Sequence, residues 1–140
     1  MGADGLDDAT IRRVLTGTRR VAVVGASAKP WRASHSVLGF LIEHRYDVTP
    51  VNPGLSGQSI HGRPVAGRLA EAAPLEMVDV FRNPAHAGAV VDEAVRLGAG
   101  VVWMQLGVVD HDAAARGRRA GLTVVMDRCP VIEWRRLGLA

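Results

Sequence analysis

The chain has 140 residues, of which 48% are hydrophobic and 22% charged, a composition that fits one folded domain and excludes a disordered or collagen-like chain. No apolar run approaches the roughly 20 residues of a membrane helix and residues 1–8 are acidic, so we expect a cytoplasmic protein without membrane contact. The net charge of +3 is spread along a chain with 4% aromatic residues and no zinc-finger spacing, which favours a small anionic ligand over nucleic acid.

The first predicted element is a helix within residues 1–18, because Asp7 can cap it and apolar residues then recur at helical spacing. Apolar runs and helical periodicity alternate after it. Strands are predicted at 21–24, 48–51, 77–81, 101–106 and 122–126, and helices at 34–45, from Asn83 to Gly98, from Asp110 to about Gly121 and from Pro130.

Two segments depart from this regular pattern. Pro50 cannot donate to a sheet ladder, so the second strand is expected to fray there or to lack a partner on that side. The connection 56–74 is rich in glycine and proline and is expected to contain one short helix near Leu69.

The alternation predicts the α/β class. Parallel neighbours need a crossover, and crossovers of this length are right-handed and cover the sheet with helices. We therefore expect a single Rossmann-like domain over 1–140: a doubly wound parallel sheet of about five strands with helices on both faces, on which the helix of 1–18 packs.

Ligands of such sheets bind outside the carboxyl ends of the strands. The first loop there contains Gly25, which permits a tight turn, and Ser27, and it leads into a helix whose positive end favours an anion. This predicts a phosphate site, with an ordinary strand-to-helix turn as the alternative. The segment Gly25-x-Ser27-x-x-Pro30 is not a complete G-x-G-x-x-G dinucleotide fingerprint.

Familiar catalytic and nucleotide motifs are missing from the sequence. Lys29 stands where a nucleophile elbow needs glycine, and no Walker loop occurs. NAD-type sites usually carry an acidic residue at the end of the second strand, where this chain has Asn52-Pro53. That difference favours a ligand with more phosphate charge than NAD. The five histidines are scattered, so no metal site is predicted.

Five segments, in this order, resemble the CoA-binding domain proteins related to the nucleotide-binding half of the succinyl-CoA synthetase alpha subunit. The likeness runs from Arg20 to Gly138. The segments are Val24-Gly25-Ala26-Ser27 with Lys29-Pro30, Pro50-Val51-Asn52-Pro53, Asp79-Val80-Phe81-Arg82-Asn83, Trp103-Met104-Gln105-Leu106-Gly107 and Met126-Asp127-Arg128-Cys129-Pro130.

The resemblance implies a coenzyme A or acyl-CoA ligand that lies along these loops. The implied binding residues are Gly25, Ala26 and Ser27 at the pyrophosphate, with Lys29, Pro30, Arg32 and Ser34 in the same loop; Val51, Asn52 and Pro53 at the adenosine; Phe81, Arg82, Gln105 and Gly107 along the pantetheine arm; and Cys129 and Pro130 near its far end. Relatives carry a basic residue after the Asn-Pro pair, where this chain has Gly54. We therefore expect Arg32 to contact the 3′-phosphate, because guanidinium suits bidentate phosphate contacts.

The implied role is a carrier, sensor or regulatory module without turnover of its own. The related synthetase transfers a phosphoryl group through a histidine on a second domain and a partner subunit, and this chain is too short to contain either. The alternatives are an NAD(P)-dependent enzyme or a subunit of an acyl-CoA synthetase that needs a partner chain. A homodimer and an unidentified protein partner both remain open.

Two site residues have competing interpretations. Arg82 either contacts the ligand or pairs with Asp79 or solvent. Cys129 either is reactive, since a helix N-terminus and the neighbouring Arg128 favour the thiolate, or packs as a small buried hydrophobe. A reactive Cys129 would form a mixed disulfide with coenzyme A under oxidation.

Overall fold

The computed structural model describes residues 2–139. These residues form a five-stranded parallel sheet with helices on both faces. Within that range the helices are α1 (Asp8–Gly17), α2 (Ala33–Glu43), α3 (Pro84–Arg96), α4 (His111–Arg119) and α5 (Pro130–Arg136). The strands are β1 (Arg20–Val24), β2 (Asp47–Val51), β3 (Ser59–Ile60), β4 (Arg63–Pro64), β5 (Met77–Val80), β6 (Val101–Met104) and β7 (Thr123–Val125). Short 3-10 turns cover Pro53–Leu55 and Leu69–Ala72.

The predicted fold class and the order of the main helices and sheet strands are confirmed, and the differences are in strand ends and in one hairpin. The strand predicted to reach residue 106 ends at Met104, because the N–H of Val108 donates back to the carbonyl of Gln105 and closes a turn. The antiparallel hairpin of β3 and β4 within the long connection was not predicted. The short helix near Leu69 is present as a 3-10 turn.

The strands lie in the order β2-β1-β5-β6-β7. The chain moves outward from β1 to β2 and then returns across β1 to β5, so the strand order reverses between β1 and β5. Ligands of open α/β sheets bind at such a reversal. The loops after β1 and β5 therefore mark the expected site.

Each face of the sheet has its own apolar core, which explains the continuous apolar runs of the strands. On one face α3 and α4 cover alternate strand residues, and on the other face α1, α2 and α5 cover the rest. Fully or almost fully buried strand residues of the first face are Ala22, Val78, Val102 and Val124, and those of the second are Val23, Met77, Trp103 and Val125. Asp79 lies on the second face, in register with Val23 and Trp103.

Both edges of the sheet are partly closed by other segments. At the β2 edge, the carbonyl of Pro50 accepts a hydrogen bond of 2.9 Å from the N–H of Ala66, on the side away from β1. The nitrogen of Pro50 shares that outer side, as its missing donor requires. At the β7 edge, Asp4 accepts from the N–H of Met126 at 3.0 Å, and Arg118 donates to the carbonyl of Val124 at 3.0 Å.

Asp4 also anchors the amino-terminal segment to the end of the sheet. Its buried carboxylate pairs with Arg128 at 2.8 Å, and Arg128 pairs in turn with Glu133 of α5 at 2.6 Å. Burial alone would raise the pKa of Asp4, but hydrogen bonds from Arg128 and from two backbone N–H groups hold it below its ordinary value. No helix within residues 2–139 combines the length and the apolarity needed to cross a membrane.

Candidate functional site

Two neighbouring clefts open at the carboxyl edge where the strand order reverses. The loop cleft has a volume of about 500 Å³ and is lined by Gly25–Lys29, Arg32–Ser34, Asn52, Gly54, Leu55 and Phe81. The α3 cleft has a volume of about 370 Å³ and is lined by Val24, Gly25, Val51–Pro53, Gly67–Leu69, Arg82, His86, Ala89, Val90 and Glu93. Gly25 and Asn52 line both clefts, so an elongated ligand can occupy the two together.

Gly25 permits the tight turn at the base of both clefts. Its φ of 88° lies in the left-handed region, and a side chain there would overlap the carbonyl oxygen of Phe81. Only glycine therefore allows the loop after β1 to lie against the end of β5.

The backbone of the loop leaves only some of its donors free. The N–H groups of Gly25 and Ala26 both donate to the carbonyl of Val51, at 3.1 and 3.3 Å. The N–H groups of Ser27 and Ala28 meet no acceptor among residues 2–139, whereas the Ser27 hydroxyl accepts from the N–H of Lys29 at 3.1 Å. The backbone donors available to an anion are therefore those of Ser27 and Ala28, not those of the two preceding residues.

The N-terminus of α2 lines the same cleft and carries more unused donors. Its cap residue, Arg32, makes no side-chain capping hydrogen bond, and the N–H groups of Ala33 and Ser34 meet no acceptor among the described residues. Helix N-termini attract anions through such N–H groups and the helix dipole. Lys29 and Arg32, which are exposed at the loop cleft, add positive charge.

Asn52 ties the two site loops together. Its side-chain nitrogen donates to the carbonyl of Ala26 at 2.8 Å, and its side-chain oxygen accepts from the N–H of Gly54 at 2.8 Å. Both ends of the amide are thus engaged by backbone. The carbonyl of Ala26 is held in place, and this fixes the loop before any ligand arrives.

The α3 cleft combines an apolar wall with a charged rim. Val51, Leu69 and Val90 supply apolar surface, while Arg68, Arg82, His86 and Glu93 supply polar and charged groups. Arg68 and His86 were not predicted as site residues from the sequence. A signal for His86 was present, since it lies in the first turn of a helix that starts at the carboxyl edge; Arg68 is brought there by the bridge between Val51 and Ala66.

A buried carboxyl and a buried amide meet near the carboxyl ends of β5 and β6. Asp79 is fully buried, and one of its oxygens accepts from the side-chain nitrogen of Gln105 at 2.8 Å. Burial raises the pKa of Asp79 to about 7, although the hydrogen bond from Gln105 lowers it. The suggested pairing of Arg82 with Asp79 is wrong, because Asp79 bonds to Gln105 and Arg82 faces the α3 cleft.

The remaining predicted site residues lie outside both clefts; these are Pro30, Gln105, Gly107, Cys129 and Pro130. The N–H of Gly107 donates to Asp127 at 2.7 Å, which joins the loops after β6 and β7. Cys129 is half-buried at the start of α5 and packs against the core of that face. The charge of its neighbour Arg128 is directed to Asp4 and Glu133.

Comparison with known proteins shows that most of this chain is similar to one protein family. Residues 19–135 match the model of a family described as CoA binding domain. The uncharacterized protein YneT of Bacillus subtilis (strain 168) is 33% identical over 121 residues, which cover 86% of this chain and 89% of that protein.

Solved structures with high similarity cover nearly the whole chain. Prb, a protein redesigned for binding, has a TM-score of 0.91 and 40% identity, over 97% of this chain and 95% of its own. A hypothetical protein from Pyrococcus horikoshii OT3 has a TM-score of 0.91 and 38% identity, over 98% of this chain and 96% of its own. A more distant likeness, to the Rex-family protein RSP in complex with β-NADH, has 14% identity and a TM-score of 0.55 and concerns the fold alone.

Proposed function

The chain belongs to the CoA binding domain family, and from this premise we propose that it binds coenzyme A or an acyl-CoA across the loop cleft and the α3 cleft. The observation that carries the proposal is the set of unused backbone donors at the α2 N-terminus, beside Lys29 and Arg32. These groups suit a ligand whose middle is a pyrophosphate.

The phosphates belong in the loop cleft. The N–H groups of Ser27 and Ala28 and those of the first turn of α2 would hold the pyrophosphate, and the Gly25 turn allows the ligand to approach the backbone closely. Arg32 lines this cleft together with Gly54 and would contact the 3′-phosphate.

The adenosine belongs in the α3 cleft. Val51 and Leu69 offer apolar surface to the purine, and the polar and charged groups at the rim are Arg68, Arg82, His86 and Glu93. Asn52 lies between the two clefts and would face the ribose. The pantetheine arm then leaves over Phe81, which lines the loop cleft on the β5 side.

The proposed role is that of a carrier, sensor or regulatory module. Binding at the carboxyl edge needs no further chemistry from the chain, and Asn52 stands where NAD-type enzymes carry a ribose-binding acid. The alternatives are an NAD(P)-dependent enzyme and a synthetase subunit completed by a partner chain. An activity that appears only when a second chain is added would favour the latter.

The test compares ligands by thermal shift and titration calorimetry on the purified protein. Coenzyme A is expected to raise the melting temperature more than equimolar NAD, NADP or FMN. The gain in unfolding free energy should follow mass action, about 2.7 kcal/mol when the free ligand concentration is a hundred times the dissociation constant. An equal or larger shift with NAD would refute the proposal.

A matched pair of variants locates the pyrophosphate. Ser27→Asp places a carboxylate beside the unused donors of the loop and is expected to abolish coenzyme A binding by repulsion. Ser59→Asp adds the same charge on β3, outside both clefts, and is expected to bind as the unmodified protein does. Both variants must keep the circular dichroism spectrum. Unchanged affinity in Ser27→Asp would mean that the pyrophosphate lies elsewhere.

A further inference from the structure

The hairpin of β3 and β4 lies between the walls of the two clefts. Before it, residues 54–55 line the loop cleft, and after it, residues 67–69 line the α3 cleft. Its base is joined to β2, because the N–H of Ala66 donates to the carbonyl of Pro50 at 2.9 Å. Its tip is the two-residue turn His61-Gly62, whose φ angles of 49° and 77° are those of a tight hairpin turn. The position of the tip therefore bears on the shape of both clefts.

The tip is fastened to α2 through the side chain of His61. The Nε2 atom of His61 lies 2.9 Å from the backbone carbonyl oxygen of His35. A carbonyl oxygen only accepts, so this nitrogen carries a hydrogen and donates it. The ring also lies against the helix backbone at Gly39, because a Cβ atom there would come to 3.0 Å from the Cε1 atom of His61. A side chain at position 39 would therefore crowd the ring, and glycine lets the tip approach α2 closely.

The imidazole ring of His35 lies beside that of His61. The ring centroids are 4.1 Å apart, and the planes are tilted by 44°. One added proton leaves the hydrogen bond intact, because His61 donates from Nε2 whether its ring is neutral or charged. Two added protons place like charges about 4 Å apart, and these repel each other. The contact between the tip and α2 is thus compatible with no charge or one charge, and it is weakened by two.

Few neighbouring charges can offset this repulsion. No ion pair among residues 2–139 involves either ring. The charged residues nearest along α2 are Arg32 and Glu43, and on the hairpin Arg63 pairs with Asp47 at 3.2 Å. Burial, followed by charge on the neighbouring ring, lowers the pKa of His35 below its ordinary value of 6.5. The neutral ring therefore stabilises the folded protein above about pH 6.5, and this contribution is lost as the pH falls.

We propose that His35 and His61 form a pH-sensitive latch, which holds the hairpin tip on α2 at neutral pH and releases it when both rings are protonated. Histidine is the side chain whose charge ordinarily changes between pH 5 and pH 8. Release frees the segment whose two ends line the two clefts, and it frees this segment from the helix that carries the unused donors of the loop cleft. The latch is a property of the free protein. Its effect on a ligand rests on the proposed function, and coenzyme A should bind more weakly at pH 5 than at pH 7.5.

The first experiment follows the contact between His61 and Gly39 by NMR in the free protein. In the unmodified protein, a nuclear Overhauser effect between the His61 ring and the α protons of Gly39 is expected at pH 7.5 and should be lost at pH 5. His35→Phe and His35→Gln remove the second charge and keep the backbone carbonyl that accepts from His61, so each variant should keep the signal at both pH values. The control His111→Phe, which removes an exposed histidine at the start of α4, should lose the signal as the unmodified protein does. A signal that persists at pH 5 in the unmodified protein, or that is lost at pH 5 in both His35 variants, would overturn the latch.

The second experiment measures the dissociation constant of coenzyme A at pH 7.5 and at pH 5 by calorimetry. Protonation of the phosphates of the ligand affects every protein alike, so the comparison between proteins isolates the latch. The weakening between the two pH values should be about fivefold larger for the unmodified protein than for His35→Phe, the factor that corresponds to two unit charges about 4 Å apart in water. Equal weakening in the two proteins would overturn the control of the clefts by the latch. If the unmodified protein binds no coenzyme A at either pH, the proposed function is refuted, and the NMR experiment still decides the latch.

Discussion

The buried carboxyl of Asp79 makes the stability of the protein depend on pH in a direction opposite to that of most carboxylates. Its pKa is raised from the ordinary value of 3.8 to about 7 in the folded protein, chiefly because burial disfavours the charged form. A carboxyl whose pKa is raised on folding contributes its full stability below pH 4, and that contribution is lost as the pH rises toward 7.

The substitution Asp79→Asn isolates this effect. One pKa unit corresponds to about 1.4 kcal/mol, so a rise of roughly three units costs the folded protein about 4 kcal/mol above pH 7. Asparagine stays neutral at every pH and can still accept from Gln105. The difference in unfolding free energy, variant minus unmodified protein, should therefore rise by about 4 kcal/mol between pH 4 and pH 8.

Denaturant titrations at pH 4, 5, 6, 7 and 8 measure this difference. The side-chain N–H₂ group of the introduced asparagine is buried without an acceptor. This loss lowers the unfolding free energy of the variant by the same amount at all five pH values, so it does not change how the difference depends on pH. Titration of other groups, Asp4 included, cancels because both proteins contain them. A difference that stays flat from pH 4 to pH 8 would show that Asp79 is ionised with an ordinary pKa, and the reasoning from its burial would be wrong.

Three further predictions concern other parts of the molecule. In calorimetry, Arg32→Ala should lower the affinity for coenzyme A about ten- to a hundredfold and leave the affinity for dephospho-CoA unchanged. The control Arg119→Ala, which removes an exposed charge of α4, should change neither affinity. Parallel losses of both affinities in Arg32→Ala would reject the 3′-phosphate contact. Asp4→Ala should lower the unfolding free energy by about 3 to 5 kcal/mol at pH 7, because it breaks a buried ion pair. The control Arg136→Ala, which breaks an ion pair at the surface, should lower it by less than about 1 kcal/mol. Losses of similar size in the two variants would contradict the structural role of Asp4. A reactive Cys129 should add one coenzyme A by mass after incubation with CoA disulfide, reversibly and not in Cys129→Ser, and a folded protein that stays unmodified would exclude the mixed disulfide.

The elements of the fold were predictable because their signals are local. Asn83 followed by Pro84 caps the start of α3 as expected, with the asparagine side chain accepting from the N–H of Ala85 at 2.9 Å. Pro50 marked the edge strand, because a missing donor is a property of the residue itself. Strand ends were less predictable, since the end of β6 depends on a turn that returns Val108 to Gln105.

The contacts that shape the site were not predictable, because they join residues distant in the chain. No pattern near Asp4 indicates that it binds Arg128, 124 positions later. The pairing of Asp79 with Gln105 requires knowing that β5 and β6 are neighbours and which face each residue takes. Such contacts depend on the strand order and on the register between strands, and neither can be read directly from a single sequence.

Two hydrogen bonds of the Asn52 side chain hold the loop after β1 in its shape, and they bear on which ligand the proposed site prefers. The carbonyl of Ala26 needs a donor, and the N–H of Gly54 needs an acceptor; one asparagine side chain supplies both. An aspartate at this position would still accept from Gly54, but it would set a carboxylate against the carbonyl of Ala26 and would loosen the loop that carries the phosphate donors. The acid that NAD-type sites place at the end of the second strand is thus incompatible with the way this loop is held. The proposed preference for coenzyme A over NAD would then follow from the same two hydrogen bonds that hold the loop after β1.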